Sequence, residues 1–252
     1  MGTADLHIHS TYSHDATTTV RAILKQAADV HLDVIAITDH DEMRGAIEAR
    51  KLAFQYGIEV IAGAEVSTKE GHLVALFIEE LPPAGQSLVD TLAFIGKQGG
   101  IAIAAHPFNH LPHSLSLDSV VGALTNPRSK AILKGMETHN MGTQAFDSTA
   151  QKLSTYLPLA KIASSDAHVY WAIGAGRTEF AGTSAQDLRI AIENNATTAI
   201  PYEEEFSARA IFSWVRRIAL RKLGYASDTT SASQPINTQK LSQSFMKRIK
   251  KK

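Results

Sequence analysis

The sequence predicts an α/β barrel of the TIM type, and three observations carry that prediction. Short apolar runs alternate with segments of helical periodicity, the pattern of parallel βα units. The apolar runs end in histidine or acid: His7/His9, Asp39/His40, Glu65, His106, His139 and Asp166/His168. Polar groups gathered at the C-terminal ends of successive parallel strands mark a barrel site. A doubly wound sheet would instead favour one switch point with a Gly-rich phosphate loop, and the chain has no such loop.

Seven runs read as strands, in order "ADLHIH", "DVIAITDH", "EVIAGAEVS", "HLVALFI", "GIAIAAHPF", "GMETHN" and "KIASSDAH". Between them, "TTVRAILKQAADVH", "EMRGAIEARKLAFQYG" and "SLVDTLAFIGKQGG" carry helical spacing, and Gly57 and Gly99 supply C-terminal stops for the latter two. Only "TKEG" joins the third and fourth runs, so that pair is a hairpin or an irregular corner.

Length and composition agree. The chain has 252 residues, 44% of them hydrophobic, enough for one large core. It has no cysteine, so disulfides and thiolate metal sites are excluded. No run approaches the roughly 20 apolar residues of a membrane span, and the first residues lack an apolar signal region. The expectation is a cytoplasmic protein.

The zero net charge hides an asymmetry. From Phe206 onward there are eleven Lys/Arg and one acid, Asp228, whereas the first 205 residues carry fourteen against twenty-four. The expected organisation is a barrel over 1–205, a basic amphipathic helix over 206–225 and a flexible linker with a basic tail over 226–252. In that helix Ile211, Phe212, Val215, Ile218, Ala219 and Leu223 share an arc opposite Arg209, Arg216, Arg217 and Arg221. Packing of the apolar arc on the barrel is the favoured reading. The alternative is contact of the basic C-terminus with nucleic acid or anionic membrane.

The candidate ligands are His7, His9, Asp15, Asp39, His40, Glu65, His72, His106, Asp166 and His168. A lone strand histidine is usually a satisfied core residue. This many imidazoles beside carboxylates would each carry a desolvation cost that bound cations remove together. Imidazole with carboxylate and no thiolate suits Mn, Fe or Zn. Ten donors exceed one tetrahedral ion, and paired metals are a common solution for cleaving phosphate esters. Glu65 is the natural bridge between two of them.

These motifs resemble the PHP (polymerase and histidinol phosphatase) family of metal-dependent phosphoesterases over roughly residues 4 to 182: "DLHIHS", "ITDHD", "GAEVS", "AAHPF" and "SSDAH" stand in its order. The resemblance implies a distorted (β/α)7 barrel holding two to three divalent ions. By analogy His7, His9, Glu65 and Asp166 hold the first metal, Glu65, His72 and His106 the second, and Asp15, His40 and His168 the third. Relatives differ at the Asp15 position, so His14 competes with Asp15 for one ligand role; Asp15 is favoured. His139 is left out of the metal set.

The implied reaction is attack by a metal-bridging hydroxide on a small phosphate ester, namely a phosphomonoester, nucleotide or short oligonucleotide. Asp39 is expected to orient an imidazole from behind, and His168 or an acid near the third metal to protonate the leaving group. Arg177 is either a phosphate clamp or the ion-pair partner of Glu179. His110 and His113 read as solvated loop residues, with pocket lining as the alternative. The rival readings are an amidohydrolase-type metal hydrolase and a degenerate barrel serving as a binding module.

Overall fold

A computed structural model describes residues 1–111, 113–201 and 219. The basic helix expected over 206–225 (Ala219 apart) and the tail over 226–252 therefore lie outside the described residues.

The chain runs β1 (Gly2–Ile8), α1 (Val20–Asp29), β2 (Val34–Ile37), α2 (Arg44–Leu52), β3 (Glu59–Ser67), β4 (His72–Leu76), α3 (Leu88–Lys97) and β5 (Ile101–Ala104). It continues through α4 (Leu117–Thr125), α5 (Pro127–Lys130), β6 (Leu133–Asn140), α6 (Asp147–Leu153), β7 (Ala160–Ser164), β8 (Arg177–Phe180), α7 (Ala185–Glu193) and β9 (Thr198–Ile200). Helices α1, α3 and α7 start where side-chain caps are available: Thr19, Ser87 and Ser184 each accept a backbone N–H of the first turn. Gly57 and Gly99 lie at φ of +69° and +75° in open space, so left-handed geometry selects glycine at these stops.

All seven expected strands form one sheet in the order β7-β6-β5-β4-β3-β2-β1-β8-β9. Among the described residues two further strands, β8 and β9, extend it; "RTEF" and "TAI" are too short to show a periodic signal. Nor are all the strands parallel. The "TKEG" connection makes β3 and β4 an antiparallel hairpin, and β5 pairs antiparallel with β4. At the other edge β8 runs antiparallel to β1. Beyond β7 the chain returns to the end of β1, where His9 N donates to Ala167 O at 3.0 Å and Ala167 N to His7 O at 3.3 Å. The sheet is thereby curled into a nearly closed barrel.

The barrel interior is filled by Ala4, Leu6, Val34, Ala36, Ile61, Val74, Leu76, Ile101, Ile103 and Ile162, with Phe180 and the α7 residues Leu188 and Ile192. Each fully buried Leu or Ile contributes about 1.5–3 kcal/mol. The N-terminus of α7 is tied to the start of β3, where Ala185 N donates to Glu59 Oε2 at 2.8 Å, so this helix covers the end opposite the histidines. Ile8, Ile35 and Ile37 face outward into the layer of α1 and α2.

The step from interior Leu6 to outward Ile8 is made by a bulge. Asp5 to Ile8 of β1 spans only Ile35 to Ile37 of β2. A bulge reverses the facing of the residues beyond it. Ala4 and Leu6 therefore fill the core, while His7 and His9 turn in above them. Asp5, on the same side in a regular strand, is diverted to accept Ser165 N at 3.0 Å and Gly174 N at 2.8 Å. No described helix is long and apolar enough to cross a membrane.

Candidate metal centre

Nearly every chemical side chain named above arrives at one end of the barrel. Parallel strands bring His7, His9, Asp39, His40, Glu65, His106, Asp166 and His168 there at or beyond their C-terminal ends. Antiparallel β4 brings His72 at its start, so the hairpin returns to the same rim.

Glu65 is the centre of the group. Its Oε1 lies 2.8 Å from His72 Nδ1 and 3.1 Å from His106 Nε2. Its Oε2 lies 2.9 Å from His40 Nδ1, 3.3 Å from His7 Nε2 and 3.4 Å from His9 Nε2. The two oxygens of one buried carboxylate thus divide the histidines into two sets. Asp166 Oδ1 faces His9 Nε2 at 3.2 Å and His7 Nε2 at 3.5 Å. On the outer side, Asp15 Oδ2 lies 3.2 Å from His40 Nε2 and 3.3 Å from His168 Nε2.

Three groups of donor atoms are compact enough to share an ion: His7, His9 and Asp166; His40, Glu65 and His72; and His9, Asp15, His40 and His168. The expected sets recur in part: Glu65 is absent from the first group and His106 from the second, and two residues are added. His40 also joins the Glu65–His72 group because its two nitrogens face Glu65 and Asp15, and His9 joins the Asp15 group.

The buried Nε2 atoms of His7 and His9 and Oε2 of Glu65 make no hydrogen bond despite converging within 3.4 Å. Burying such atoms unsatisfied costs about 1–3 kcal/mol each, and more for a charged group. Convergent imidazole and carboxylate lone pairs are what a divalent cation satisfies, so the residues fit the metals expected of them.

Other contacts hold the rings so that these atoms face inward. His9 Nδ1 bonds Ser13 Oγ at 3.1 Å, and that hydroxyl donates to Asp39 Oδ1 at 2.9 Å. Asp39 also accepts Ser10 N at 2.6 Å and Ser10 Oγ at 2.7 Å. Asp39 therefore reaches its imidazole through Ser13. His168 Nδ1 donates to the Asp166 carbonyl at 2.9 Å, leaving Nε2 for the site.

Charge follows geometry. Burial works against ionisation of Glu65 and Asp166, yet His7 and the neighbouring imidazoles hold both well below the usual carboxylate range. Burial, with His168 alongside, pushes His9 down to about 3. Burial opposes charge on His40 too, but Asp15 and Glu65 prevail and lift it to about 10. Two of the residues sit in left-handed backbone, His106 at φ +28° and Asp166 at +49°, the kind of local strain that clusters at functional sites.

Not every expected residue joins the group. Arg177 lies on β8, where its Nε donates to Gly174 O at 2.6 Å; among the described residues it pairs with neither the cluster nor Glu179. The His14 side chain is 75% exposed, 3.9 Å from Asp15 Oδ2. His139 meets Thr138 Oγ1 at 3.2 Å. His110 is exposed. His113 is exposed but does more than meet solvent: its ring stacks on His72 at 4.7 Å and its carbonyl accepts His72 N at 2.8 Å. One buried acid escaped the sequence reading. Glu137, in "GMETHN", bonds His7 Nδ1 at 2.9 Å. The available signal was an acid inside an otherwise apolar strand, overshadowed by His139 two residues on.

Comparison with known proteins gives the family. The pattern of the PHP domain matches residues 5–173. The chain belongs to the PHP domain family. An uncharacterized protein of Methanocaldococcus jannaschii is 41% identical over 122 residues, 44% of this chain and 71% of that protein. The phosphoribosyl 1,2-cyclic phosphate 1,2-diphosphodiesterase of Eggerthella lenta is 38% identical over 86 residues, 32% of this chain and 32% of that enzyme. The chain thus spans about a third of that enzyme's length. Among solved structures, a two-domain protein from Bacteroides vulgatus containing a predicted PHP-like metal-dependent phosphoesterase superposes with a TM-score of 0.65 at 20% identity, covering 85% of this chain and 69% of that one. The PHP match ends close after His168, so Arg177 lies just outside it.

Proposed function

We propose that this PHP-domain chain is a phosphoesterase that hydrolyses a small phosphate ester, a phosphomonoester, nucleotide or short oligonucleotide, with two or three divalent ions as cofactors. The observation that carries the reading is the convergence of His7 Nε2 and His9 Nε2, neither of them hydrogen-bonded, on Glu65 Oε2 beside Asp166. In this proposal His7, His9, Glu65 and Asp166 form one binding set, Glu65, His72 and His106 a second, and Asp15, His40 and His168 a third. Mn, Fe or Zn bound there would supply Lewis acidity towards phosphoryl oxygens and acidify water near neutral pH.

The chain's own groups do the rest. Glu65, with one oxygen facing each histidine set, holds the sets at fixed separation. Asp39 orients His9 through Ser13, so its Nε2 stays turned inward. With two ions bound, His168, its Nδ1 committed to a carbonyl, presents a protonated Nε2 that can serve a leaving alkoxide; with a third ion bound that nitrogen would instead be a ligand. The diphosphodiesterase relative supports a phosphate-ester substrate, and Arg177 remains a proposed phosphate clamp only through a side-chain movement away from Gly174.

The test is turnover by Mn-, Fe- or Zn-loaded protein of p-nitrophenyl phosphate, bis(p-nitrophenyl) phosphate, simple amides and lactones. Phosphate release that disappears with chelator is expected. Turnover of amides or lactones alone would instead establish the amidohydrolase alternative.

A further inference from the structure

Glu137 has the environment of a component of the metal centre without standing among its ligands. It is 2% exposed, on β6, where a bulge between Glu137 and His139 breaks the register with β7. Its carboxylate is met by four donors. Oε1 takes His7 Nδ1 at 2.9 Å and the Ser164 hydroxyl. Oε2 takes His106 N at 2.6 Å and Asn140 Nδ2 at 2.7 Å.

Two of those donors belong to different metal sets. His7 is bound by its ring, which keeps Nδ1 protonated and leaves Nε2 as the nitrogen that faces Glu65 and Asp166. His106 is bound by its backbone at the residue whose φ is +28°, a conformation most side chains avoid. A short hydrogen bond to a full negative charge is the kind of contact that holds such a turn. The Asn140 side chain joins the same carboxylate to the turn after β6, since its Oδ1 accepts Thr143 N at 3.1 Å.

We infer that Glu137 is a positioning residue: it fixes the ring nitrogen that His7 presents to one metal set and the backbone from which His106 reaches the other. This inference rests on the metal-centre reading above. A glutamine at this position keeps the volume but cannot do both jobs. Its amide NH2 end would face either the His7 N–H and Ser164 O–H or the His106 N–H and Asn140 NH2, leaving two donors opposed by a third.

The experiment is calorimetric titration of metal-free wild type and E137Q with Mn2+ alone, together with 15N spectra of the histidine rings in the Zn2+-loaded proteins. Partners that orient metal ligands are typically worth 10–100-fold in affinity. The expected result is weakening of that size affecting more than one ion, with His7 changing from a single Nδ1–H tautomer to a mixture. Equal affinity and an unchanged His7 tautomer in a folded E137Q overturn the inference while leaving the metal centre intact. Wild type that binds no divalent ion overturns both. Should E137Q fail to fold, E137D is read in the same titration. It keeps the charge but withdraws the carboxylate by one methylene, so at least about tenfold weakening supports the role, and unchanged affinity refutes it.

Discussion

His72 Nδ1 lies 2.8 Å from Glu65 Oε1 although the two residues stand on strands that run in opposite directions. The four-residue turn between the strands makes this possible, because the last residues of β3 and the first of β4 share the rim. Glu65 is the carboxylate common to both histidine sets, so its charge matters more than that of any other group there. In the proposed enzyme, Glu65→Gln keeps the shape and turns an amide N–H towards imidazoles. Elemental analysis of the purified variant should show at least one ion fewer per chain. Phosphatase activity should fall by at least about 100-fold, the upper end of what a supporting contact alone is worth.

Asp15, rather than His14, is the side chain that two imidazoles approach. Its Oδ2 is 3.2 Å from His40 and 3.3 Å from His168, whereas the His14 side chain is 75% exposed. Asp15→Asn should therefore lower metal stoichiometry and lose activity at saturating substrate. His14→Ala should leave stoichiometry unchanged and shift thermal stability by no more than about 0.5 kcal/mol, as at other exposed positions. The reverse pattern in parallel metal analyses would exchange the two assignments.

Much of this was legible because one rule holds: a donor at the end of an apolar run lands at the rim. The rule located His7, His9, Glu65, His106 and Asp166 without any three-dimensional information. It could not announce β8 and β9, whose few residues pair antiparallel at the edge and show no usable period. Nor could it find Glu137. A buried acid with four donors reads in sequence like any solvent-facing glutamate, since its partners lie on β1, on β7 and beyond β5. The bulge in β1 was equally silent. Strict alternation would put Asp5 beside His7 and His9, and only the register with β2 separates them. Arg177 marks the limit from the other side, because a guanidinium attractive as a phosphate clamp is held by the nearby Gly174 carbonyl.

The position of Asp39 makes a prediction about a residue with no side chain. Gly45, in the first turn of α2, lies so close that a Cβ would overlap Asp39 Oδ2 and stand 2.7 Å from Ser10 Oγ. Alanine in a helix is ordinarily favoured over glycine by about 1 kcal/mol. Overpacking of a filled site costs about 1–3 kcal/mol, and here the atom displaced is a carboxylate oxygen bonded to Ser10. Gly45→Ala should therefore lower the melting temperature by several degrees. It should also reduce kcat more than KM, since in the proposed enzyme Asp39 acts on His9 through Ser13 rather than on the substrate. A variant more stable than wild type would show that α2 shifts freely away from Asp39.

The charge balance around Glu65 predicts opposite pH responses for the metal-free and metal-loaded protein. Burial disfavours charge on His7, His40, His106 and His168, but Asp15, Glu65, Asp166 and Glu137 outweigh it and raise all four, His40 to about 10. An unfolded histidine titrates near 6.5. The stability from these raised groups is complete below about pH 6.5 and is lost as pH climbs towards the folded value. Glu65 and Asp166 are depressed, so their contribution is present above about pH 4.5 and is lost as pH falls. His9, pushed down by burial to about 3, and Asp5, pushed up by burial to about 6, oppose one another across this range, so metal-free protein should be most stable between about pH 4.5 and 6.5. Its melting temperature in EDTA should decline from pH 6.5 to 9. Metal binding requires neutral imidazoles and releases protons, so the gain in melting temperature on adding Mn2+ should grow over the same interval. A melting temperature in EDTA that climbs steadily from pH 6.5 to 9 would mean that the histidines are neutral without metal, and that the carboxylates around them do not govern the site.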